Sequence, residues 1–173
     1  MSNVYFPSLL TYFHGRAIRR IQSHQELLRP IMNKDFHIER FLSVQNSEYE
    51  SVLSELRSGQ KFGHWMWYIF PQMKGLGTSA MAEKYGIISK KEAVAYFEHP
   101  ILGVRLKECS KIVIGIQGRT AVQIFGYIDS LKFRSCMTLF SEIAPDCEIF
   151  ATALSKYYDN HPDRLTLNIL NHQ

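Results

Sequence analysis

From Asp35 onward, apolar positions recur at a spacing of 3–4 residues, so the chain reads as one amphipathic helix after another. Ser47 with Glu50 has the form of a capping box, in which side chains satisfy the first free backbone N–H groups of a helix. Tyr49, Val52, Leu53 and Leu56 then fall on one face, and Gly59 supplies a left-handed stop. Ser89 with Glu92 repeats the box ahead of a short helix ending near His99-Pro100. Pro100 suits the first turn of the helix that follows. There Leu102, Leu106, Cys109, Ile112, Val113 and Ile116 keep helical spacing, with Gly118 just past the end. Thr120 with Gln123 makes a third box. Asp129 is placed as the N-cap of a helix striped by Phe133, Met137 and Phe140. Asp146, after Pro145, opens another helix through Phe150, Ala153, Leu154 and Tyr157, and a last one runs from Asp163 to about Leu170.

No segment alternates with period two between hairpin turns. The apolar run Met66 to Phe70 fits either a strand or a buried helix; its helical neighbours favour helix, ended by Pro71. The expected fold is all-α: a compact single-domain bundle of about eight short helices with short connections.

Residues 1–31 differ in kind. They mix scattered aromatics with arginines and show no clean periodicity, so they are expected to be a basic N-terminal extension to a helical domain at 32–173. The arginines follow the apolar stretch, the reverse of a secretory signal, and an Arg-rich, acid-poor leader has the composition of a transit peptide. Met32 is an alternative start, because well-patterned sequence begins directly after it.

Composition narrows the function classes. Of 173 residues, 46% are hydrophobic and 13% aromatic, enough to fill a core. No apolar run reaches the roughly 18 residues a membrane span needs. Cys109, Cys136 and Cys147 are widely spaced and form no CxxC or Cys/His cluster, which points to a reducing, cytoplasmic setting and no metal. The pI of about 9.0 invites a nucleic-acid reading. Yet Arg16, Arg19, Arg20 and Arg29 against Glu26 put +3 in residues 1–31, and the other 16 basic and 15 acidic side chains leave the body at +1. A phosphate-binding footprint is missing from the body, which argues against nucleic acid as partner.

The candidate chemistry lies in His64-Trp65-Met66-Trp67 and the glycine turn behind it. On a helix His64, Trp67 and Tyr68 share a face while Trp65 and Ile69 point elsewhere, so one indole suits the core and the other a cleft. An indole face can stack on a base or hold a cation, and an imidazole can move a proton. The plainer reading is that both rings are core. In Pro71-Gln72-Met73-Lys74-Gly75-Leu76-Gly77-Thr78-Ser79, Gly75 and Gly77 let backbone N–H groups converge, and a helix starting near Ser79 adds its dipole; together these can hold an anion. The spacing is neither a P-loop nor GxGxxG, and an ordinary loop before a capped helix explains it equally. Arg105 forks onto an anion or lies solvated over a buried stem. Lys132, Ser135 and Thr138 offer a cation and two hydroxyls, or form a polar helix face. HExxH, GxSxG and paired-carboxylate signatures are lacking, and no cofactor is implied. His99 and His161, each before a proline, punctuate helices.

The words Arg40-Phe41, Gln45, Tyr49, Gly59, His64-Trp65-Met66-Trp67, Phe70-Pro71-Gln72, Gly75-Leu76-Gly77, His99-Pro100, Arg105-Leu106, Ile124-Phe125-Gly126, Asp129, Lys132, Ser135 and Met137-Thr138-Leu139-Phe140 occur in order. In this the chain resembles the bacterial family known as domain of unknown function 1810, over about Asp35 to Leu170. Cys136 departs from the family, which usually has a second serine there. The resemblance implies a small, mainly helical, cytoplasmic protein and supplies no activity. The label calpastatin carried by some members fits poorly, since calpastatin inhibitory regions are disordered repeats and this chain has core-forming helices throughout.

Two functions are carried forward. In the first, a cleft takes a small anionic or nucleotide-like ligand. Trp65 or Trp67 stacks, Gln72 reads a polar edge, and Lys132 or Arg105 holds negative charge. Gly75, Gly77, Ser79, Ser135 and Thr138 assist, and His64 is the catalytic acid/base candidate. In the second, the protein is a helical adaptor without chemistry, recognised by an exposed apolar patch.

Overall fold

The computed structural model describes residues 36–173, so the expectations for the basic extension and for Met32 lie outside the described residues. Chain contacts divide after His37, and the body is Ile38–Gln173. It is all-α, with nine helices and no strand among the described residues.

Helix α1 (Glu39–Ser58) begins well before the expected box at Ser47. Its buried row Phe41, Gln45, Tyr49, Val52, Leu53 and Leu56 continues through Ser47 without a break. Ser47 Oγ instead donates to the Val44 carbonyl, as a mid-helix serine does. Once a helix is nucleated, adding turns is favourable while their apolar face finds a partner, so a capping word inside the stripe does not start one. Gly59 stops α1 as expected, at φ 77°.

The aromatic run forms the short α2 (Met66–Ile69), which ends before Pro71. Next come α3 (Ala80–Tyr85) and α4 (Lys90–Glu98), capped by Ser79 and Ser89. A single parallel bridge between Met73 and Ile87 joins the segments before and after α3. Glu92 does not complete a box with Ser89. Its carboxylate accepts from Ile88 N–H at 2.7 Å and pairs with Arg40 at 2.6 Å.

Helix α5 (Leu102–Gly115) starts two residues beyond Pro100. His99 serves its N-terminus: the imidazole Nδ1 accepts from Ile101 and Leu102 N–H, so that nitrogen carries no proton. Then α6 (Ala121–Phe125) carries the complete Thr120/Gln123 box. Gly126, at φ 79°, turns the chain straight into α7 (Tyr127–Ile143). Asp129 is therefore in the first turn of α7 and does not cap it. Helix α8 (Glu148–Tyr158) starts two residues past Asp146, and α9 (Arg164–Asn171) is capped by Asp163.

Helix α7 is the central element and packs against α2, α4, α6, α8 and α9. From Ser135 to Phe140 every residue is buried. Phe133 lies 4.9 Å from both Phe70 and Phe125, ring centroid to centroid, which fastens α2 and α6 to this axis. No helix among the described residues is long and apolar enough to cross a membrane.

Candidate functional site

The site starts from the end of α1. Gly59 turns the chain back, and Lys61 N–H donates to the Ile124 carbonyl at 2.8 Å, which lays the loop after α1 beside α6. Glu55 in the last turns of α1 holds the rest of that loop. Its carboxylate accepts from Phe62 N–H at 2.7 Å, Gly63 N–H at 2.9 Å and Trp65 Nε1–H at 2.7 Å. Burial works against the Glu55 charge. The Gly63 and Phe62 N–H groups, the Trp65 indole and nearby Lys61 outweigh it and hold the carboxyl below its ordinary range.

This arrangement separates the two indoles. Trp65 is buried, with edge-on contact to Phe125 and its N–H spent on Glu55, so it faces no ligand. Trp67 lies at the edge of the core, half-buried. The Lys132 ammonium sits 4.1 Å from the Trp67 ring centroid, a cation against the negative face of the ring. Among the described residues, Trp67 Nε1 is the one buried side-chain polar atom without a hydrogen-bond partner. His64, between the two anchored stretches of the loop, is exposed.

Asp129 draws the charges together. One carboxylate oxygen meets Lys132 Nζ at 2.8 Å and the other meets Lys61 Nζ at 2.7 Å. Burial opposes the Asp129 charge, but the two ammoniums outweigh it and keep the carboxyl below its usual value. Lys61 also donates to the Gly63 carbonyl. The charges of Glu55, Lys61, Asp129 and Lys132 formally cancel. Both carboxylates, however, are occupied from within, whereas Lys132 gives one of its three N–H donors to Asp129 and keeps 19% of its side chain exposed. The corner therefore holds an oriented, part-buried cation at the boundary between core and surface.

The remaining predicted residues lie elsewhere. Arg105 is stacked over Tyr49, 4.5 Å from the ring centroid, and donates to Asn46 Oδ1 at 3.1 Å on the α1–α5 side. Ser135 Oγ donates to Asp163 Oδ2, and Thr138 Oγ1 accepts from Asp163 N–H at 2.8 Å. These hydroxyls are buried and tie α7 to the start of α9; they form neither a ligand rim nor a solvated polar face. Gln72 is buried with its amide near Gly77, Gly75 takes a turn at φ 95°, and the Ser79 hydroxyl is used to cap α3. The side chains of that turn serve α3 and the core and do not join the lysine pair.

Trp67 and Lys132 are thus brought together, with His64 on the adjoining loop, while Lys61, Glu55 and Asp129 were missed as site residues. Their sequence signal is faint. Glu55 and Lys61 look like ordinary surface charges and Asp129 reads as a helix cap; only the reversal at Gly59 hints that Lys61 folds back against α1.

A family model described as "Protein of unknown function (DUF1810)" matches residues 35–170. The crystal structure of the conserved hypothetical protein Rv1873 from Mycobacterium tuberculosis is similar to this chain at 47% identity and a TM-score of 0.78. The match covers 79% of this chain and 98% of that one. No curated protein matches.

Proposed function

The chain belongs to the DUF1810 family, and from the geometry of the indole–lysine corner we propose that it binds a small anionic ligand there. One observation carries the reading: Lys132 is held in place before any ligand arrives, by the Trp67 ring at 4.1 Å and Asp129 at 2.8 Å. A cation fixed in this way loses little side-chain freedom when it meets an anion, and part-burial strengthens the attraction. Lys132 takes the negative charge in this reading. Lys61 supports it through Asp129, Trp67 forms the wall, and His64 on the adjoining loop is the acid/base candidate if a reaction follows. Gln72, Gly75, Gly77, Ser79, Arg105, Ser135 and Thr138 are left out, since their contacts serve other parts of the fold.

The test is calorimetry and thermal denaturation of the full chain with inorganic phosphate, pyrophosphate, a nucleoside monophosphate and a sugar phosphate. At least one anion is expected to raise Tm in a concentration-dependent way. At a hundred times its Kd the gain is about 2.7 kcal/mol. Lys132→Met, which keeps most of the stem, is expected to remove that gain. If no anion shifts Tm, or if Lys132→Met still responds, the reading is wrong.

The adaptor reading also has a specific observation behind it. Phe62, Val122, Tyr127, Ile128 and Leu131 are exposed large hydrophobics around this corner.

A further inference from the structure

The first turn of α7 is inside out. Its apolar residues Tyr127, Ile128 and Leu131 are 67%, 61% and 43% exposed. Its polar residues point inward: Ser130 is buried, and the Asp129 and Lys132 side chains are only 16% and 19% exposed. A surface helix that buries one face ordinarily does the opposite. Val122 on α6 and Phe62 on the loop hydrogen-bonded to α6 add two more exposed apolar side chains at the same corner. Five of the nine exposed large hydrophobics among the described residues therefore lie on α6, the loop bonded to it and the start of α7.

Charge selects the occupant of the patch. Ile128 and Lys132 are four residues apart on α7 and so are neighbours on its surface, which puts the apolar face beside the Lys132 ammonium. An apolar strip ending at a fixed cation fits a molecule with an apolar body and one anionic end.

Resting on the anion site proposed above, we infer that its ligand is a small amphiphilic anion, an alkyl or aryl phosphate or carboxylate. The anionic end meets Lys132, and the apolar body covers Tyr127, Ile128 and Leu131. No covalent step is involved; the gain comes from removing both apolar surfaces from water.

The experiment titrates the full chain by calorimetry with inorganic phosphate, hexyl phosphate and octyl phosphate, each below its critical micelle concentration. Affinity is expected to rise with chain length, with octyl phosphate at least tenfold tighter than inorganic phosphate; a few buried methylenes suffice for that. The triple variant Tyr127→Ser, Ile128→Ser, Leu131→Ser alters exposed positions. It is expected to keep its helical circular dichroism, lose the chain-length gain and bind octyl phosphate no better than inorganic phosphate. Lys132→Met is expected to weaken every member of the series.

Equal affinities along the series in the native chain overturn this inference and leave the anion site standing. Absence of binding by any of the three overturns both. Retention of the chain-length gain in the triple variant also overturns it. Light scattering that finds a dimer dissociated by the triple variant assigns the patch to a second copy and overturns the amphiphile as its occupant. Sedimentation with phosphatidylglycerol vesicles, without binding of the monomeric amphiphile, assigns the patch to a lipid surface and overturns it likewise.

Discussion

The two ends of α7 obey different rules. From Phe133 to Phe140 the helix runs through the core, with its rings against Phe70, Phe125, Tyr96 and Phe150. Even its hydroxyls there are spent on holding α9. Only one turn earlier, Tyr127, Ile128 and Leu131 stand in water while Asp129 and Lys132 point inward to an ion-pair network. The middle is arranged as stability requires. The beginning exposes apolar surface and buries charge.

The sharpest way to break this contrast is to compare truncations at the two ends. Phe140→Ala removes a fully buried ring and is expected to cost about 3–5 kcal/mol in urea denaturation. Ile128→Ser or Leu131→Ser is expected to change stability by no more than about 0.5 kcal/mol, since surface substitutions without special contacts do little. Comparable losses at both ends would mean that the first turn is core after all.

The middle of α7 was legible in the sequence and its beginning was not. The Phe133, Met137, Phe140 stripe has the helical period, and every member is buried. The same holds for Leu102, Leu106, Cys109 and Val113 on α5, though Ile112 of that stripe is only part-buried and Ile116 lies past the helix end, and it holds for the stop at Gly59 and the cap at Asp163. Local words misled where a neighbouring element decided the outcome. Asp129 looks like a cap, but Gly126 lets α7 follow α6 directly and leaves Asp129 free to bridge two lysines. Ser135 and Thr138 look like ligand groups or a wet face because nothing local announces that α9 returns to meet them. Of the candidate site, helical geometry suggested that the indoles part, but α2 begins only at Met66, so His64 is off the helix, Tyr68 is buried, and Glu55 is what holds Trp65 inward. The pairing of Trp67 with Lys132, 65 positions apart, was not legible.

A smaller effect sharpens the contrast from the buried side. Thr138→Val keeps the shape but removes the acceptor of Asp163 N–H, and is expected to cost about 1–3 kcal/mol. Amide exchange is expected to accelerate first in Arg164–Asn171. Uniform acceleration across the body would show that the hydroxyl does not serve α9 in particular.

Acid titration addresses the inward charges. Glu55 and Asp129 both have carboxyls held below their ordinary values of 4.5 and 3.8. In that window the unfolded chain binds more protons than the folded one. The stability from these groups is therefore complete above the ordinary values and is lost as pH falls through the lowered ones. Asp129→Asn is expected to flatten the dependence of Tm on pH below about 4. His99 acts in a separate window. Burial lowers its pKa from 6.5, so its contribution is complete when neutral and falls as pH drops through 6.5. His99→Ala is expected to flatten only that upper limb. If Asp129→Asn leaves the acid limb as steep as in the native chain, the ion-pair network at the start of α7 is not coupled to folding.

The smallest effect separates the two indoles, which mirror the two ends of α7. Trp65→Phe removes a donor that Glu55 uses at 2.7 Å and leaves a core ring site underfilled, so a loss of about 1–3 kcal/mol is expected. Trp67→Phe deletes an N–H that has no partner and keeps a ring face under Lys132. Removing an unsatisfied buried donor relieves a cost, while Phe holds a cation less well than Trp, so the two terms oppose each other. The expected change is within about 0.5 kcal/mol of zero by urea denaturation. A loss as large as that of Trp65→Phe would place Trp67 among the structural rings and leave Lys132 with no wall of its own to stand against.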